Sequence, residues 1–220
     1  MPESSGGEER VALVERVQSI LADMGEQLQP MLGNLARRVR AILFLPRVAW
    51  PEIAQERHDI PGLLLHYVVP LSAIPPVAKL IGWSLLSSHE GFGMGLAEAF
   101  LSYVLGLAGI AALTLLATKL APRFEGEDNL GQAAKLIAYS ATASWVGGVF
   151  RLVPVLGIVS LLASLYGCYL LYTGAPSLMS VPEDRAPAYA AVLIAATIVV
   201  FLVISVILAA TIGIGALGMI

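Results

Sequence analysis

The stretch APAYAAVLIAATIVVFLVISVILAATIGIGALGMI, residues 186–220, contains no charged side chain. A helix needs about 20 predominantly apolar residues to cross a hydrocarbon core of ~30 Å. This run exceeds that length, and it decides the fold class. Working outward from it, Leu152–Pro182 is also free of charge, as is Ala99–Thr118. Three membrane spans are therefore expected at about 97–118, 152–173 and 189–212. Residues 62–86, GLLLHYVVPLSAIPPVAKLIGWSLL, supply a fourth, interrupted by Pro70, Pro75, Pro76 and Lys79. Residues 132–150 supply a fifth, although only 15 uncharged positions separate Lys135 from Arg151. Those positions reach only about 22 Å as a helix, and the two basic side chains snorkelling outward make up the difference. The expected fold is all-α: a polytopic transmembrane bundle of five spans, occupying 61–220.

Composition agrees. The 220 residues are 57% hydrophobic and 13% charged, with net charge −3, whereas a soluble domain carries about 25% charge. An acidic balance argues against a nucleic-acid binder. One cysteine excludes an intrachain disulfide framework, a CxxC pair and a cysteine-based zinc cluster.

Orientation follows from the basic residues flanking each span. Seven arginines (Arg10, Arg16, Arg37, Arg38, Arg40, Arg47 and Arg57) precede the first span, and the next loop, 87–95, has no Lys or Arg. The third flank holds Lys119, Arg123 and Lys135, the fourth only Arg151, and the fifth Arg185. This alternation predicts a cytoplasmic amino terminus and an outside carboxyl terminus. The acidic, polar start MPESSGGEER does not read as a cleavable signal peptide.

The amino-terminal region divides in two. Residues 1–34 read as a disordered start (1–9) followed by an amphipathic helix, with Val14, Leu21, Leu28, Leu35 and Ile42 seven residues apart and Val17, Met24 and Met31 between them. Pro30 and Gly33 are expected to break or kink it. The pattern fits either a short coiled coil or a helix packed on its own membrane domain. Residues 35–60 read as a basic interfacial helix, in which Arg37, Arg38, Arg40 and Arg47 alternate with apolar side chains and meet anionic lipid headgroups.

Motifs for catalysis are weak. GIGALG (213–218) matches a dinucleotide-binding string, but no strand precedes it, and it reads as a loose end of the last span. His58, His66 and His89 lack metal-ligand spacing, Cys168 reads as a packing residue, and no nucleophile elbow occurs. No catalytic, metal or cofactor site is expected. A charge at mid-bilayer costs at least about 2.5 kcal/mol, so the charges within spans carry more information. Lys79 and Glu98 fall at similar depth near the outer face on adjacent spans, with Arg151 a third member of a candidate intramembrane polar site. The alternative is that each snorkels separately. Small residues (Gly106, Gly109, Ala111 and Ala112; Gly147 and Gly148; Ala191 and Ala195) mark expected helix contacts.

QAAKLIAYSATASWVGGVFRLVP (132–154) and LYGCYLLYTGAPSLMSVPEDRAPAY (165–189) resemble the bacterial branch of the Yip (Ypt/Rab-interacting protein) family. RVRAILFLPRVAWPEIAQE (38–56) and YVVPLSAIP (67–75) are similar to that family's opening. The resemblance covers roughly residues 35–190. It implies a five-helix integral membrane protein with a cytosolic amino terminus. The positions it carries over are Lys135, Tyr139 and Ser140 on the third span, and Tyr166, Tyr169, Tyr172 and Pro176 around the fourth. A contact between Tyr172 and Lys135 is geometrically feasible, against an aromatic belt beside a snorkelling lysine. The family's acidic and aromatic cytosolic motifs are not visible in the first 60 residues, and no reaction or ligand follows from the resemblance.

The expected function is a non-enzymatic scaffold or adaptor of the inner membrane that binds partner proteins or organises lipid, with a second copy of itself or another membrane protein as the expected partner. The alternative is a permeation protein for a small solute, ion or lipid, using the proline-broken first span and the Lys79/Glu98 site.

Overall fold

The chain was analysed as a computed structural model, which describes residues 5–86 and 92–217. Every regular element among the described residues is helical. The chain divides into two compact units, Met1–Val39 and Arg40–Ile220. His89 and Gly218, and the side chains of Val14, Val17, Leu21, Met24 and Leu28, lie outside the described residues.

In the first unit the backbone is one continuous helix, α1, Ser5–Phe44, whose last turn belongs to the second unit. Pro30 lies inside α1 without ending it. The expected break there does not occur, because a proline deletes one hydrogen bond of a ladder whose neighbours still hold. The break falls instead at Leu45 (φ −133°, ψ 49°), which precedes Pro46. The ring of Pro46 disfavours helical geometry for the residue before it. The predicted basic helix 35–60 is thus divided: α1 ends at Phe44, and α2 runs Pro46–Gln55.

The second unit is the membrane bundle. Asp59 starts α3 (Ile60–Leu63) by accepting from the Gly62 N–H at 2.9 Å. The first span then changes form three times. A π-helical turn occupies Leu64–Val68, α4 is Val69–Ser72, and α5 is Ile74–Leu86. Pro70 offers no N–H to the turn before it, and Pro75 and Pro76 offer none to α4, so the ladder cannot run through. α6, Phe92–Leu120, ends in a 3-10 turn at Ala121–Phe124, closed by Glu125 in left-handed conformation (φ 61°).

Residues expected as the third span form α7 (Leu130–Ser140), α8 (Thr142–Gly147) and a 3-10 turn at Gly148–Leu152. A second 3-10 turn, Pro154–Leu156, leads into α9, Gly157–Met179, and α10 is Ala186–Leu217. Gly213 and Gly215, read above as a loose end, are helical within α10. Among the described residues, four helical runs are long and apolar enough to cross a membrane: Ile60–Gly82, Gly95–Phe124, Gly157–Met179 and Ala186–Thr211.

Close approaches fix how these runs pass one another. Lys79 pairs with Glu98, and the Tyr103 hydroxyl donates to the Val69 carbonyl at 3.1 Å, so the first span and α6 are antiparallel. A Cβ on Gly109 would lie 3.0 Å from Val200, and Tyr189 donates to the Ala117 carbonyl at 2.9 Å, so α6 and α10 are antiparallel. α7–α8 runs the length of α9 in the opposite sense. Gly174 backs onto Leu136, Gly167 onto the Ser140 carbonyl, and Gly147 onto Ala163. The same segment follows the first span in parallel, from Tyr67 against Thr142, through Pro75 against Gly148, to Gly82 against the carbonyls of Arg151 and Leu152.

The buried interior centres on α7. Ala133 through Ser140 are all buried, together with Trp50, Ile53, Val68, Leu170, Met179, Tyr189 and Leu193. Of the small residues expected at contacts, Gly109, Gly147 and Gly148 are at close approaches. A Cβ on Gly106 would meet nothing within 4 Å, and Ala111, Ala112, Ala191 and Ala195 are exposed.

Candidate functional site

Polar side chains gather at three levels of the bundle. At the end marked by Lys119, Asp128 and Arg185, the helix α2 is held against α7 and α9. Pro46, Ala49, Trp50 and Ile53 are buried, spaced as one face of a helix. Trp50 donates its indole N–H to the Thr173 hydroxyl at 3.1 Å. Gly174 gives the ring room, since a Cβ there would sit 2.9 Å from it. Lys135, only 5% exposed, donates from Nζ to the carbonyls of Ile53 (3.0 Å) and Glu56 (2.7 Å). Gln132 donates to the Ala54 carbonyl at 2.8 Å. These acceptors lie at the last turn and C-cap of α2, where carbonyls run out of intrahelical partners; the Ile53 carbonyl also accepts from the Glu56 N–H at 3.2 Å, and a cation is the favoured cap for that end. Lys135 thus terminates α2, while Tyr172 lies on the exposed face of α9. The contact considered between them gives way to the stronger acceptors. Tyr166 donates to the Leu43 carbonyl at 2.7 Å, and its ring lies 5.5 Å from that of Tyr169. Arg40 and Arg47 are exposed at this end, and Arg37, in the first unit, bonds Asn34 of its own helix. Arg38 is half-buried. Pro176 lies inside α9, which continues to Met179.

At the middle level two irregular helices meet. The Tyr67 hydroxyl, on the π-helical turn, shares a 2.8 Å hydrogen bond with Thr142, the first residue after the α7–α8 break. The rings of Tyr67 and Tyr139 stand edge to face, 4.7 Å apart. Ser140 is buried beside them, and its hydroxyl has no hydrogen-bond partner among the described residues.

At the opposite end, Lys79 Nζ and Glu98 Oε1 form an ion pair, with Lys79 half-exposed and Glu98 20% exposed. The backbone of Arg151 lies against Gly82, one turn beyond Lys79, which brings the three positions to one end of the bundle. His58 packs its ring against Gly131, and His66 bonds the Gly62 carbonyl within its own turn. No group of three or more His, Cys, Asp or Glu among the described residues is placed to hold a metal.

Sequence reasoning did not single out Trp50, Tyr67, Thr142, Gln132 or Thr173. The spacing of Pro46, Ala49, Trp50 and Ile53 was a usable signal for a docked helix, and Gly174 marked the position opposite. Nothing in the local sequence announced that Tyr67 and Thr142 would meet.

Comparison with known proteins agrees with this architecture. Two curated relatives, each named Inner membrane protein YohC, come from Escherichia coli strain K12 and from Escherichia coli O6:H1. Each is 28% identical over 171 residues, covering 73% of this chain and 86% of the relative. No solved structure matches the chain. The model of the Yip1 domain matches residues 40–204, which is the membrane bundle from the last turn of α1 into α10, and the chain therefore belongs to the Yip1 domain family.

Proposed function

We propose that this protein is a non-enzymatic scaffold of the bacterial inner membrane, with its amino-terminal helix offered to partner proteins on the cytoplasmic side. The observation that carries this reading is how the polar side chains inside the bundle are spent. Lys135, Gln132, Tyr166, Tyr103 and Tyr189 each donate to a backbone carbonyl of another segment. Groups used in this way hold helices in place and are not free to turn over a substrate. The name of the curated relatives supports the inner membrane as its location.

The bundle makes five crossings in this reading. α7, α8 and the turn after them run beside both α9 and the first span over their shared length, as a fifth crossing sheathed by protein would. With the basic flanks Lys119, Arg123 and Arg185 facing the cytoplasm, Lys79, Glu98 and Arg151 lie toward the outer face, and α10 ends outside. The permeation reading draws its support from the buried Ser140 hydroxyl at the end of α7, which no described residue bonds.

Crosslinking in native membranes followed by purification separates the two. A scaffold yields a defined crosslinked partner or dimer that disappears when residues 1–34 are deleted, while the bundle remains folded. Solute or ion flux in proteoliposomes that changes with Glu98→Ala, without any crosslinked species, would sink the scaffold reading.

A further inference from the structure

The segment Arg40–Glu56 and helix α9 share a three-point register. Leu43 is level with Tyr166, Trp50 with Thr173 and Gly174, and Ile53–Glu56 with Lys135, which lies beside the last turns of α9. α2 therefore advances along α9 in the same direction. It does not cross it flat, and the bend at Leu45 is the tip of a wedge set beside α9, near the level of Tyr166. The outer side of the wedge is apolar at its tip: Phe44 is 75% exposed, Leu45 61% and Val48 66%. On α9, Leu161, Leu162 and Leu165 are exposed as well. One step further along the register, at the level of Tyr169 and Tyr172, comes Arg47. Arg47 is exposed, and no described residue takes a hydrogen bond or ion pair from its guanidinium. The hydroxyls of Tyr169 and Tyr172 are likewise unbonded by any described residue, and both rings are part-exposed.

We infer that this face of the wedge is a site for one anionic phospholipid. Its acyl chains lie on Phe44, Leu45 and Leu165, and its phosphodiester is held by Arg47 with the hydroxyls of Tyr169 and Tyr172. The chemistry is complementary throughout. A guanidinium presents a planar fork of donors that suits phosphate oxygens, tyrosines place an apolar ring below and a donor above at headgroup level, and the tip is as apolar as lipid tails. The inner side of α2 is fixed by Trp50, Lys135 and Gln132, so the outer side is pre-set before lipid arrives, which lowers the cost of binding. The inference deepens the scaffold reading and rests on it, because it needs that end of the bundle to lie in the headgroup region.

The test uses the full-length protein, delipidated in detergent and given phosphatidylglycerol or phosphatidylcholine with identical chains, with retained lipid counted by native mass spectrometry. The wild-type protein retains phosphatidylglycerol in preference. Arg47→Gln reduces that preference about tenfold, the loss expected for one hydrogen-bonded contact to a charged group, and Tyr169→Phe reduces it less. Arg123→Gln, on the turn that ends α6, leaves it unchanged. Equal retention of both lipids, or equal loss from Arg47→Gln and Arg123→Gln, overturns the site in favour of none or of diffuse charge. Displacement of phosphatidylglycerol by glycerol 1-phosphate overturns it in favour of a soluble phosphate. Crosslinked partners that persist in Arg47→Gln show the scaffold reading standing even where the lipid site fails.

Discussion

Helix α10 and the segment α7–α8 are opposites. The 18-residue window of α10 has mean hydropathy 3.2, yet only 6% of that window is buried within the protein. α7 includes a lysine, a tyrosine and a serine, and nearly every residue of it is buried. The most hydrophobic of the four windows is the least buried, and the segment with the weakest span signal is the centre of the interior. In a membrane this is the expected consequence of lipid being as apolar as leucine: hydropathy reports contact with lipid, while contact between helices is carried by small residues and hydrogen bonds. The glycines follow that division, with Gly147, Gly148, Gly167 and Gly174 all at contacts between α7–α8 or the turn after it and the segments beside them.

The largest test of this contrast is steric. A Cβ on Gly148 would meet Pro75 at 2.5 Å, and one on Gly174 would meet Leu136 and Trp50 within 2.9 Å. Neither pair can retreat, because one is a ring in a proline-broken helix and the other is buried on all sides. Gly148→Leu and Gly174→Leu each exceed the usual ~1–3 kcal/mol cost of over-packing and abolish recovery of folded protein in detergent. Normal thermal unfolding of either variant would mean that α7–α8 is loosely packed.

Next in size is Lys135→Met, which keeps the volume and removes the ammonium from the Ile53 and Glu56 carbonyls. A buried acceptor stripped of its partner costs about 1–3 kcal/mol. The loss falls locally: hydrogen exchange over residues 46–55 accelerates while the four long helices keep their protection. Unchanged exchange there would show that Trp50 and Ile53 alone dock the helix.

A smaller effect is expected where the two irregular helices meet. Tyr67→Phe, Thr142→Val and the double variant form a thermodynamic cycle, whose coupling should be about 0.6 kcal/mol, as for side-chain hydrogen bonds in other membrane bundles. Zero coupling, measured by unfolding in mixed micelles, would mean that the rings and not the hydroxyl join these helices.

The same contrast explains what could be read beforehand. The four long runs are visible because each is shielded by lipid and must therefore be free of charge. The segment expected as the third span was visible only as a short apolar stretch. Its division at Ala141 was not, because neither Gly nor Pro stands there. Lys135 was noticed as a charge at a span end, but its role depends on the carbonyls of α2, some eighty positions earlier in the chain. The Lys79 and Glu98 positions were suggested by depth alone, since two spans joined by a short loop must run side by side. Arg47 was seen as one of four arginines on a helix read as continuous, and only the bend at Leu45 separates it from the others.

The smallest effect is the one that tests the lipid-facing half of the comparison. Phe201, Val203 and Val206 are each more than half exposed on α10, and substitutions away from packed features stay within about 0.5 kcal/mol. A variant carrying Phe201→Leu, Val203→Ala and Val206→Ala should unfold like the wild type and elute at the same size from a detergent column. The logic depends on lipid or detergent being the neighbour of those side chains. A second chain covering that face would change the outcome: the triple variant would lose stability together with a larger species on the column. A loss of stability with no change in size would instead place those residues against the bundle itself.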